Sequence, residues 1–214
     1  TARSRGLGDV YKRQVVTCAL ARVSPPKISS LIRLGPSLCT GKGQAVNMSY
    51  EGELRGRSME PYSTEPVTLI EEVFPQDTNA YNTLFGGRLL SLMDKAGGIA
   101  CAKFAHREFV TISIDTLTFI APARQGDLLE VSGQVVYTSS HTACTKVTAY
   151  TMSKATWEKS IICEGYFFFV AIDSMMRPIP VPQFTPETDE QQVEWDKAKS
   201  IRDNMLAQKA KRES

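Results

Sequence analysis

Histidine is nearly absent from this sequence, and its scarcity removes several classes of enzyme. The chain of 214 residues holds only two histidines, His106 and His141. A Ser-His-Asp hydrolase and a multi-histidine metal centre both need imidazole groups in a recognisable arrangement, and neither histidine lies in such a pattern. The sequence also lacks a GxGxxG segment and a P-loop. We therefore expect neither a bound metal ion nor a cofactor.

Paired cysteines and long apolar runs are absent too. The five cysteines are odd in number and scattered, and none forms a CxxC pair. This pattern indicates reduced thiols rather than a disulfide framework or a zinc site. No run approaches 18 uninterrupted apolar residues, so we expect no transmembrane helix. The apolar run at residues 15–20 is too short for a secretory signal.

Charge is distributed unevenly along the chain. Residues 1–47 hold eight lysines and arginines and one acidic residue, whereas the remainder holds 17 basic and 22 acidic residues. The basic leader is compatible with a mitochondrial transit peptide, a nucleic-acid-binding arm or translated sequence foreign to the protein. Residues 1–14 resemble a sequencing-adapter scar, which favours the third interpretation and makes Met48 the expected start. We predict that residues 1–65 are a disordered leader, in part non-native.

The most informative stretch comprises residues 75–104. Residues 75–83 form a polar segment rich in turn-forming residues, and two glycines, Gly86 and Gly87, follow it. Apolar residues then recur at spacings of three and four, which predicts a helix with one buried side. That side consists of Leu89, Leu90, Met93, Ala96, Gly97, Ala100, Cys101 and Phe104. Asp94 falls at the edge of this stripe, so we expect its carboxylate to be half-buried. Gly97 and Gly98 in mid-helix each cost about 1 kcal/mol relative to alanine, which predicts a closely packed strand.

Strand-like segments surround this helix in the sequence. Residues 66–74 precede it, and residues 110–120, 128–138, 142–152 and 160–172 follow it with short connections that favour antiparallel pairing. One helix among five strands argues against a doubly wound fold. We predict an α+β fold in which a curved antiparallel five-stranded sheet wraps around one long central helix. Residues 166–172 are apolar on both faces, which predicts burial between the helix and another surface, such as a second subunit.

A third segment completes the predicted organisation. Residues 66–175 form the main domain, and residues 176–214 form a proline-rich connector followed by a charged helix at residues 188–212. This helix carries Val193, Ala198, Ile201 and Leu206. From residue 187 onward seven acidic residues face six basic ones. We therefore expect a solvated outer helix rather than a nucleic-acid-binding arm.

Several motifs, taken in order, resemble those of the hotdog-fold acyl-CoA thioesterases. The resemblance covers about residues 66–173 and implies the hotdog fold, homodimers and often larger rings of dimers. The matching residues are Pro75-Gln76-Asp77-Thr78-Asn79, Thr83-Leu84-Phe85-Gly86-Gly87-Arg88-Leu89-Leu90, Met93-Asp94, Val110-Thr111-Ile112-Ser113-Ile114-Asp115, Phe119, Pro122 and Gly126-Asp127.

The resemblance implies a catalytic pair and an oxyanion site. The family's loop asparagine and helix aspartate fall on Asn79 and Asp94, which commonly meet across a subunit interface. We expect Asp94 to act as the base for a water molecule, with direct nucleophilic attack as an open alternative. Asn79 would orient the water or the thioester through its amide. Gly86 and Gly87 would present backbone N–H donors at the helix N-terminus, although a tight entry turn also explains two glycines there.

Contacts to CoA are implied as well. In this family the backbone of two strands makes them, and here they map onto Ile112, Ser113 and Ile114 and onto His141, Thr142 and Ala143. A core role explains Ile112 and Ile114 equally well. Three features depart from the family's pattern, and one of them is the segment His141-Thr142-Ala143, which matches a Thr/Ser-rich family segment only loosely. Asn82 stands where glycine is usual, a replacement that asparagine tolerates if the backbone there is left-handed. Asp77 stands where histidine or another polar residue is common, which would alter the electrostatics around Asn79.

We therefore predict an acyl-CoA thioesterase that hydrolyses fatty acyl-CoA to a free fatty acid and CoA. CoA is then part of the substrate and product rather than a cofactor. A non-catalytic acyl-CoA-binding or regulatory protein is the alternative, but the presence of both Asn79 and Asp94 argues against it. A hotdog dehydratase is disfavoured, since neither histidine lies in the loop before the helix. We expect a cytoplasmic protein, or a mitochondrial matrix protein if the basic leader is genuine, with no nucleic-acid partner.

Overall fold

A computed structural model describes residues 61–213, so residues 1–60 of the predicted leader lie outside the described residues. This part of the chain contains five strands and two α-helices, and the strand bounds differ from the predicted ones by no more than two residues. The strands are β1 (Val67–Glu72), β2 (Glu108–Phe119), β3 (Leu128–Thr138), β4 (Thr142–Met152) and β5 (Lys159–Ile172). The helices are α1 (Gly86–Ala105) and α2 (Asp189–Glu213).

The strands form one antiparallel sheet in the order β1-β3-β4-β5-β2. Helix α1 packs on one face of this sheet, mainly against β3 and β4. The predicted α+β architecture is therefore confirmed. Strand β2 lies at an edge, so one side of its backbone has no neighbouring strand within the described part of the chain.

The inner face of the sheet is packed against the small residues of α1. A Cβ atom added to Gly97 would lie 2.7 Å from Thr145 Oγ1 and 3.0 Å from the Phe169 ring. A Cβ atom added to Gly133 of β3 would lie 3.0 Å from the backbone of Ala96. These distances are shorter than van der Waals contact, so the helix and sheet meet only because the side chains are missing. The predicted close packing of a strand on α1 is confirmed.

The apolar stripe of α1 is buried as predicted, with one exception. Leu90 is only half-buried, whereas Leu92, which lies outside the predicted stripe, is 1% exposed. The helix ends at His106, which has φ 49° and donates its N–H to the carbonyl of Ala102.

The end of α1 also contacts the last residues of the predicted leader. The N–H of Tyr62 donates to the carbonyl of Phe104 at 2.9 Å, and its ring stacks on His106 with 3.6 Å between the centroids. Lys103 pairs with Glu65 at 3.2 Å. Residues 62–65 thus differ from the expectation of disorder, because these contacts fix them against the helix.

The outer face of the sheet is covered by α2. Tyr166 and Phe168 of β5 form an apolar cluster with Trp195 and Ala198 of this helix. The surface that we expected to cover the second face of β5 is therefore a helix of the same chain rather than a second subunit.

The buried side of α2 differs in part from the predicted one. Val193 and Leu206 are 64% and 49% exposed, so the inference that they form the apolar side of the helix is wrong. Ala198 and Ile201 lie on the buried side as predicted, and Trp195 and Met205, three or four residues away from them, complete it. Lys146 of the sheet also donates to Glu194 at 2.6 Å.

The proline-rich connector runs along the end of the core. The N–H of Val181 donates to the carbonyl of Ser140 at 3.0 Å, and the N–H of Phe184 donates to Thr138 Oγ1 at 2.8 Å. Phe184 belongs to the same apolar cluster as Phe104. The division into residues 66–175 and 176–214 stays a prediction, although this contact ties the two segments together.

The described cysteines, Cys101, Cys144 and Cys163, are free thiols and are buried. Burial raises the pKa of Cys101 and Cys144 well above the usual range and that of Cys163 to about 12. Neither helix in residues 61–213 is long and apolar enough to cross a membrane.

Candidate active site

Asn79 lies in a short hairpin loop that precedes α1. Thr78 and Leu84 form an antiparallel bridge at the base of this loop. The N–H of Asn79 donates to the carbonyl of Thr83 at 2.8 Å, and the N–H of Asn82 donates to the carbonyl of Asn79 at 3.0 Å. Asn82 has φ 56°, so its backbone is left-handed, which meets the condition for asparagine to replace glycine here. Asparagine accepts this conformation better than most residues, because its short polar side chain can form local hydrogen bonds.

The side chain of Asn79 is held by its own loop. Its Oδ1 accepts hydrogen bonds from the N–H groups of Tyr81 at 2.9 Å and Thr83 at 3.3 Å. Its Nδ2 donates to Thr83 Oγ1 at 2.9 Å. An amide NH2 group carries two donors, and the described contacts satisfy one of them. The orientation of the Asn79 amide is thus fixed while one donor stays available to a ligand.

Helix α1 begins with two glycines whose backbone donors are not used by the helix. The N–H groups of Arg88 and Leu89 both donate to the carbonyl of Phe85, at 2.9 and 3.2 Å. The N–H groups of Gly86 and Gly87 come earlier, and among the described residues they have no backbone acceptor outside the helix. The first N–H groups of a helix lack intrahelical partners and carry its positive dipole end. This end of α1 can therefore stabilise a negatively charged oxygen.

Aromatic rings flank these two glycines. A Cβ atom on Gly86 would lie 3.5 Å from the Phe119 ring, and one on Gly87 would lie 2.5 Å from the Phe85 ring. Phe85 is 58% exposed and Phe119 is 38% exposed. The start of α1 is therefore an open position with apolar walls.

Asp94 lies on one side of an open cleft between α1 and β2. Its side chain is half-buried, and its Oδ1 accepts a hydrogen bond from Thr111 Oγ1 at 2.6 Å. The cleft has a volume of about 330 Å³. Its lining combines polar groups with apolar surface and consists of Asp94, Lys95, Gly98, Ile99, Ala102, Glu108, Phe109, Thr111 and Phe169. The expected half-burial of Asp94 is confirmed.

The described contacts of a single chain do not join Asn79 to Asp94. No hydrogen bond links the two residues within the described part of the chain. The residues that line the Asp94 cleft include none from the Asn79 loop.

The residues expected to contact CoA lie on two strands. Ile112, Ser113 and Ile114 belong to the edge strand β2, where Ile112 is 48% exposed and Ile114 packs against the core. His141 lies in the turn between β3 and β4, whereas Thr142 and Ala143 begin β4, where Ala143 is fully buried.

The strand register places these two groups of residues on opposite sides of β5. Phe169 of β5 is paired with Ala143 on one side and with Thr111 on the other. Strands are spaced about 4.8 Å apart, so the two groups lie about 10 Å from each other across β5. They do not contact the Asn79 loop through any hydrogen bond among the described residues.

Two polar residues that support the site were missed by sequence reasoning. Thr111 bonds to Asp94, and Thr83 holds the Asn79 amide. A signal for Thr111 existed, because it directly precedes the strand residues assigned to CoA. Its pairing with Asp94 depends on how β2 crosses α1, and that is not readable from spacing.

Comparisons with known proteins identify the family. The model of the thioesterase superfamily matches residues 81–157. The uncharacterized acyl-CoA thioester hydrolase YkhA of Bacillus subtilis is 36% identical over 125 residues, which are 58% of this chain and 73% of that protein. The chain belongs to the acyl-CoA thioester hydrolase family. The cytosolic acyl coenzyme A thioester hydrolase of Rattus norvegicus is 28% identical over 148 residues, which are 68% of this chain but 38% of the rat protein.

Solved structures of this family share the fold. The acyl-CoA hydrolase of Staphylococcus aureus, in complex with butyryl-CoA, CoA and CoA disulfide, is 28% identical with a TM-score of 0.65, covering 71% of this chain and 93% of that one. Its alanine variants replace an asparagine, an aspartate and a threonine that are 15 and 17 residues apart. A hexameric acyl-CoA thioesterase is 31% identical with a TM-score of 0.65, covering 70% of this chain and 96% of that one.

Proposed function

We propose that this protein hydrolyses fatty acyl-CoA thioesters to a free fatty acid and CoA. The observation that carries the proposal is the half-buried carboxylate of Asp94, which Thr111 holds at 2.6 Å beside an open cleft. The second oxygen of Asp94 has no hydrogen-bond partner among the described residues, so it can accept a proton from water. The water oxygen bonds to the thioester carbon, the C–S bond breaks, and CoA leaves as a thiolate that takes up a proton. Attack by Asp94 itself is the alternative first step.

The spacing of three polar residues supports this assignment. Asn79, Asp94 and Thr111 are 15 and 17 residues apart, as are the three residues replaced by alanine in the Staphylococcus aureus hydrolase. Thr111 therefore joins Asn79 and Asp94 in the proposed site. Its hydroxyl donates to one carboxylate oxygen and orients the other toward the substrate.

The start of α1 is proposed to stabilise the oxyanion. When water adds to the thioester carbonyl, its oxygen becomes negatively charged, and the N–H groups of Gly86 and Gly87 are donors aligned with the helix dipole. Asn79 lies in the loop that leads into this helix start, so its free amide donor can bind the same carbonyl or the attacking water.

Two subunits are proposed to complete each site. Asn79 and the Gly86–Gly87 donors come from one protomer, while Asp94 and Thr111 come from its partner. Among residues 61–213 no strand pairs with the outer edge of β2, and this edge, next to the Asp94 cleft, offers a surface for the assembly. The hexameric relative supports a homodimer or a larger ring of dimers.

CoA is proposed to bind along backbone near Ile112–Ile114 and His141–Ala143. Extended backbone can pair with the two amides of the pantetheine arm as it would with another strand. The exposed position of Ile112 on the edge strand supports the first contact. The cytosolic rat relative supports a cytoplasmic location, with the mitochondrial matrix as the alternative.

Thiol release from a panel of acyl-CoAs tests the proposal. The full chain is compared with Asp94→Ala, Asn79→Ala and Thr111→Val. Loss of a general base lowers kcat by about 10²–10⁴-fold, and we expect a loss of this size for Asp94→Ala. Circular dichroism confirms that each variant is folded. If the wild type binds acyl-CoA but releases no thiol, the protein is an acyl-CoA-binding module and the roles given to Asn79 and Asp94 are wrong.

Mixing two inactive variants tests the shared site. In a dimer that combines one Asn79→Ala subunit with one Asp94→Ala subunit, one of the two sites keeps both residues. Random exchange makes half of the dimers mixed, so we expect about a quarter of the wild-type activity to return. If each site takes both residues from one chain, subunit exchange restores nothing.

A further inference from the structure

Arg88, on the first turn of α1, forms ion pairs in two directions. Its Nε donates to Asp77 Oδ1 at 3.1 Å, and its Nη2 donates to Glu71 Oε2 at 2.6 Å. Asp77 lies in the segment before the Asn79 loop, and Glu71 lies in β1. One guanidinium therefore ties a strand and the loop to the start of the helix.

Asp77 accepts hydrogen bonds through both its side chain and its backbone carbonyl. Its Oδ2 accepts the N–H of Phe74 at 3.1 Å, and its carbonyl accepts the N–H of Phe85 at 2.8 Å. Its side chain is 13% exposed, against 36% for Arg88. Asn79 follows only two residues later, so any movement of Asp77 moves the Asn79 amide.

We propose that Arg88 is a positioning residue for the thioester site and acts through Asp77 and Glu71. The inference rests on the proposed function, because its consequence for catalysis requires that Asn79 and the start of α1 act together. Arg88 follows Gly87 directly and is rigidly connected to both N–H donors. By holding Asp77, it fixes the distance between those donors and the Asn79 amide. A carbonyl that must contact both is then bound in one geometry.

The shape of the guanidinium explains why arginine stands here. Isolated surface ion pairs contribute little, but a planar fork can donate to two carboxylates in fixed directions at the same time. Lysine carries a single charged nitrogen and cannot reproduce both directions.

Steady-state kinetics of the full chain tests the positioning role. Misplacement of a binding group by about 1 Å can lower turnover by about 10²-fold, and we expect Arg88→Met to lower kcat by about 10–100-fold while KM changes by less than about threefold. Arg88→Lys should recover part of kcat. The double variant Arg88→Met/Asp77→Asn should be no slower than Arg88→Met alone, because both substitutions remove the same ion pair between Arg88 and Asp77.

Lys154→Met is the matched control. Lys154 pairs with Glu72, the neighbour of Glu71 in β1, at 2.7 Å and with similar exposure. This variant removes a surface ion pair of the same strand, and we expect kcat to stay within about twofold of the wild type. If Lys154→Met lowers kcat as much as Arg88→Met does, the effect is general to β1 and the positioning role is wrong.

Hydrogen exchange measures the loop without using activity. The amide protons of Asn79 and Phe85 should exchange faster in Arg88→Met than in the wild type or in Lys154→Met. Unchanged exchange together with unchanged kcat overturns the inference. If Asn79→Ala and Asp94→Ala are inactive while Arg88→Met is fully active, the positioning role falls and the proposed function stands. If Asp94→Ala keeps full activity, the proposed function falls and the catalytic role of Arg88 falls with it.

Discussion

Helix α1 contains two pairs of adjacent glycines, and their surroundings differ. Gly86 and Gly87 begin the helix, where the nearest atoms beyond the backbone belong to the partly exposed rings of Phe119 and Phe85. Gly97 lies in mid-helix against a fully buried threonine hydroxyl and a buried ring. The first pair leaves room for a substrate, whereas the second leaves room for the sheet. One helix thus separates the requirements of chemistry from those of stability by a distance of three turns.

The largest expected change in stability comes from the second pair. A Cβ atom on Gly97 would lie 2.7 Å from Thr145 Oγ1, so Gly97→Ala forces the helix away from the sheet. Overpacking of this kind costs about 1–3 kcal/mol, and we expect the free energy of unfolding in urea to fall by this amount. Gly98→Ala is the matched control, because its Cβ atom would lie 3.6 Å from Phe169. That variant should gain up to about 1 kcal/mol from helix propensity. Equal effects of the two substitutions would contradict the packing argument.

A substitution in the first glycine pair should change stability little and lower activity. A Cβ atom on Gly87 would lie 2.5 Å from the exposed ring of Phe85, which can move away at little cost. We expect Gly87→Ala to leave the free energy of unfolding within about 0.5 kcal/mol of the wild type. The added methyl group and the displaced ring narrow the approach to the N–H donors, so kcat/KM for acyl-CoA should fall about tenfold, which corresponds to about 1.4 kcal/mol. Full activity of this variant would remove Gly87 from the proposed oxyanion site.

The fold could be predicted well because two kinds of pattern are clear in the sequence, the spacing of apolar residues and the position of turn-forming residues. Spacings of three and four identified the buried side of α1, and short turn-rich connections identified the antiparallel strands. Asn82 was a special case, since its replacement of the usual glycine is compatible only with a backbone of the kind that the structure has there. Patterns of this kind depend on local geometry and survive without knowledge of the partner surface.

Two other features were not readable, because they depend on which surface an element meets. The buried side of α2 contains Trp195 and Met205 beside the predicted Ala198 and Ile201, whereas Val193 and Leu206 are exposed. Apolar residues stand at several angles around this helix, so spacing alone did not decide which of them face the sheet. The hydrogen bond between Thr111 and Asp94 joins residues from a strand and a helix, so their spacing in the sequence carries no trace of it.

The smallest expected effect concerns the outer face of the sheet, where charge takes the place of the close glycine contact. Burial tends to raise the pKa of Glu194, but hydrogen bonds from Lys146 and Tyr166 hold it below its ordinary value of 4.5. Burial and the bond to Glu194 raise the pKa of the Tyr166 phenol well above its ordinary value of 10.0. Because the carboxylate has a lower pKa in the folded state, it stabilises that state at any pH above its pKa in the unfolded chain. This stabilisation is lost as the pH falls through the pKa of the folded state. Because the phenol has a higher pKa in the folded state, it stabilises that state below pH 10.0, and this stabilisation is lost as the pH rises above 10.0 toward the pKa of the folded state.

The docking of α2 should therefore be strongest between about pH 5 and pH 10 and weaken on both sides. Trp195 reports on it, because its ring meets Tyr137 edge-on with 5.4 Å between the centroids. The chain has two tryptophans, so Trp157→Phe leaves Trp195 as the single tryptophan whose emission is followed. In that background Glu194→Gln should cost about 1 kcal/mol at neutral pH, since a charge-assisted hydrogen bond becomes a neutral one. It should also remove the part of the acid transition due to Glu194. An unchanged acid transition would mean that α2 is held by its apolar residues alone.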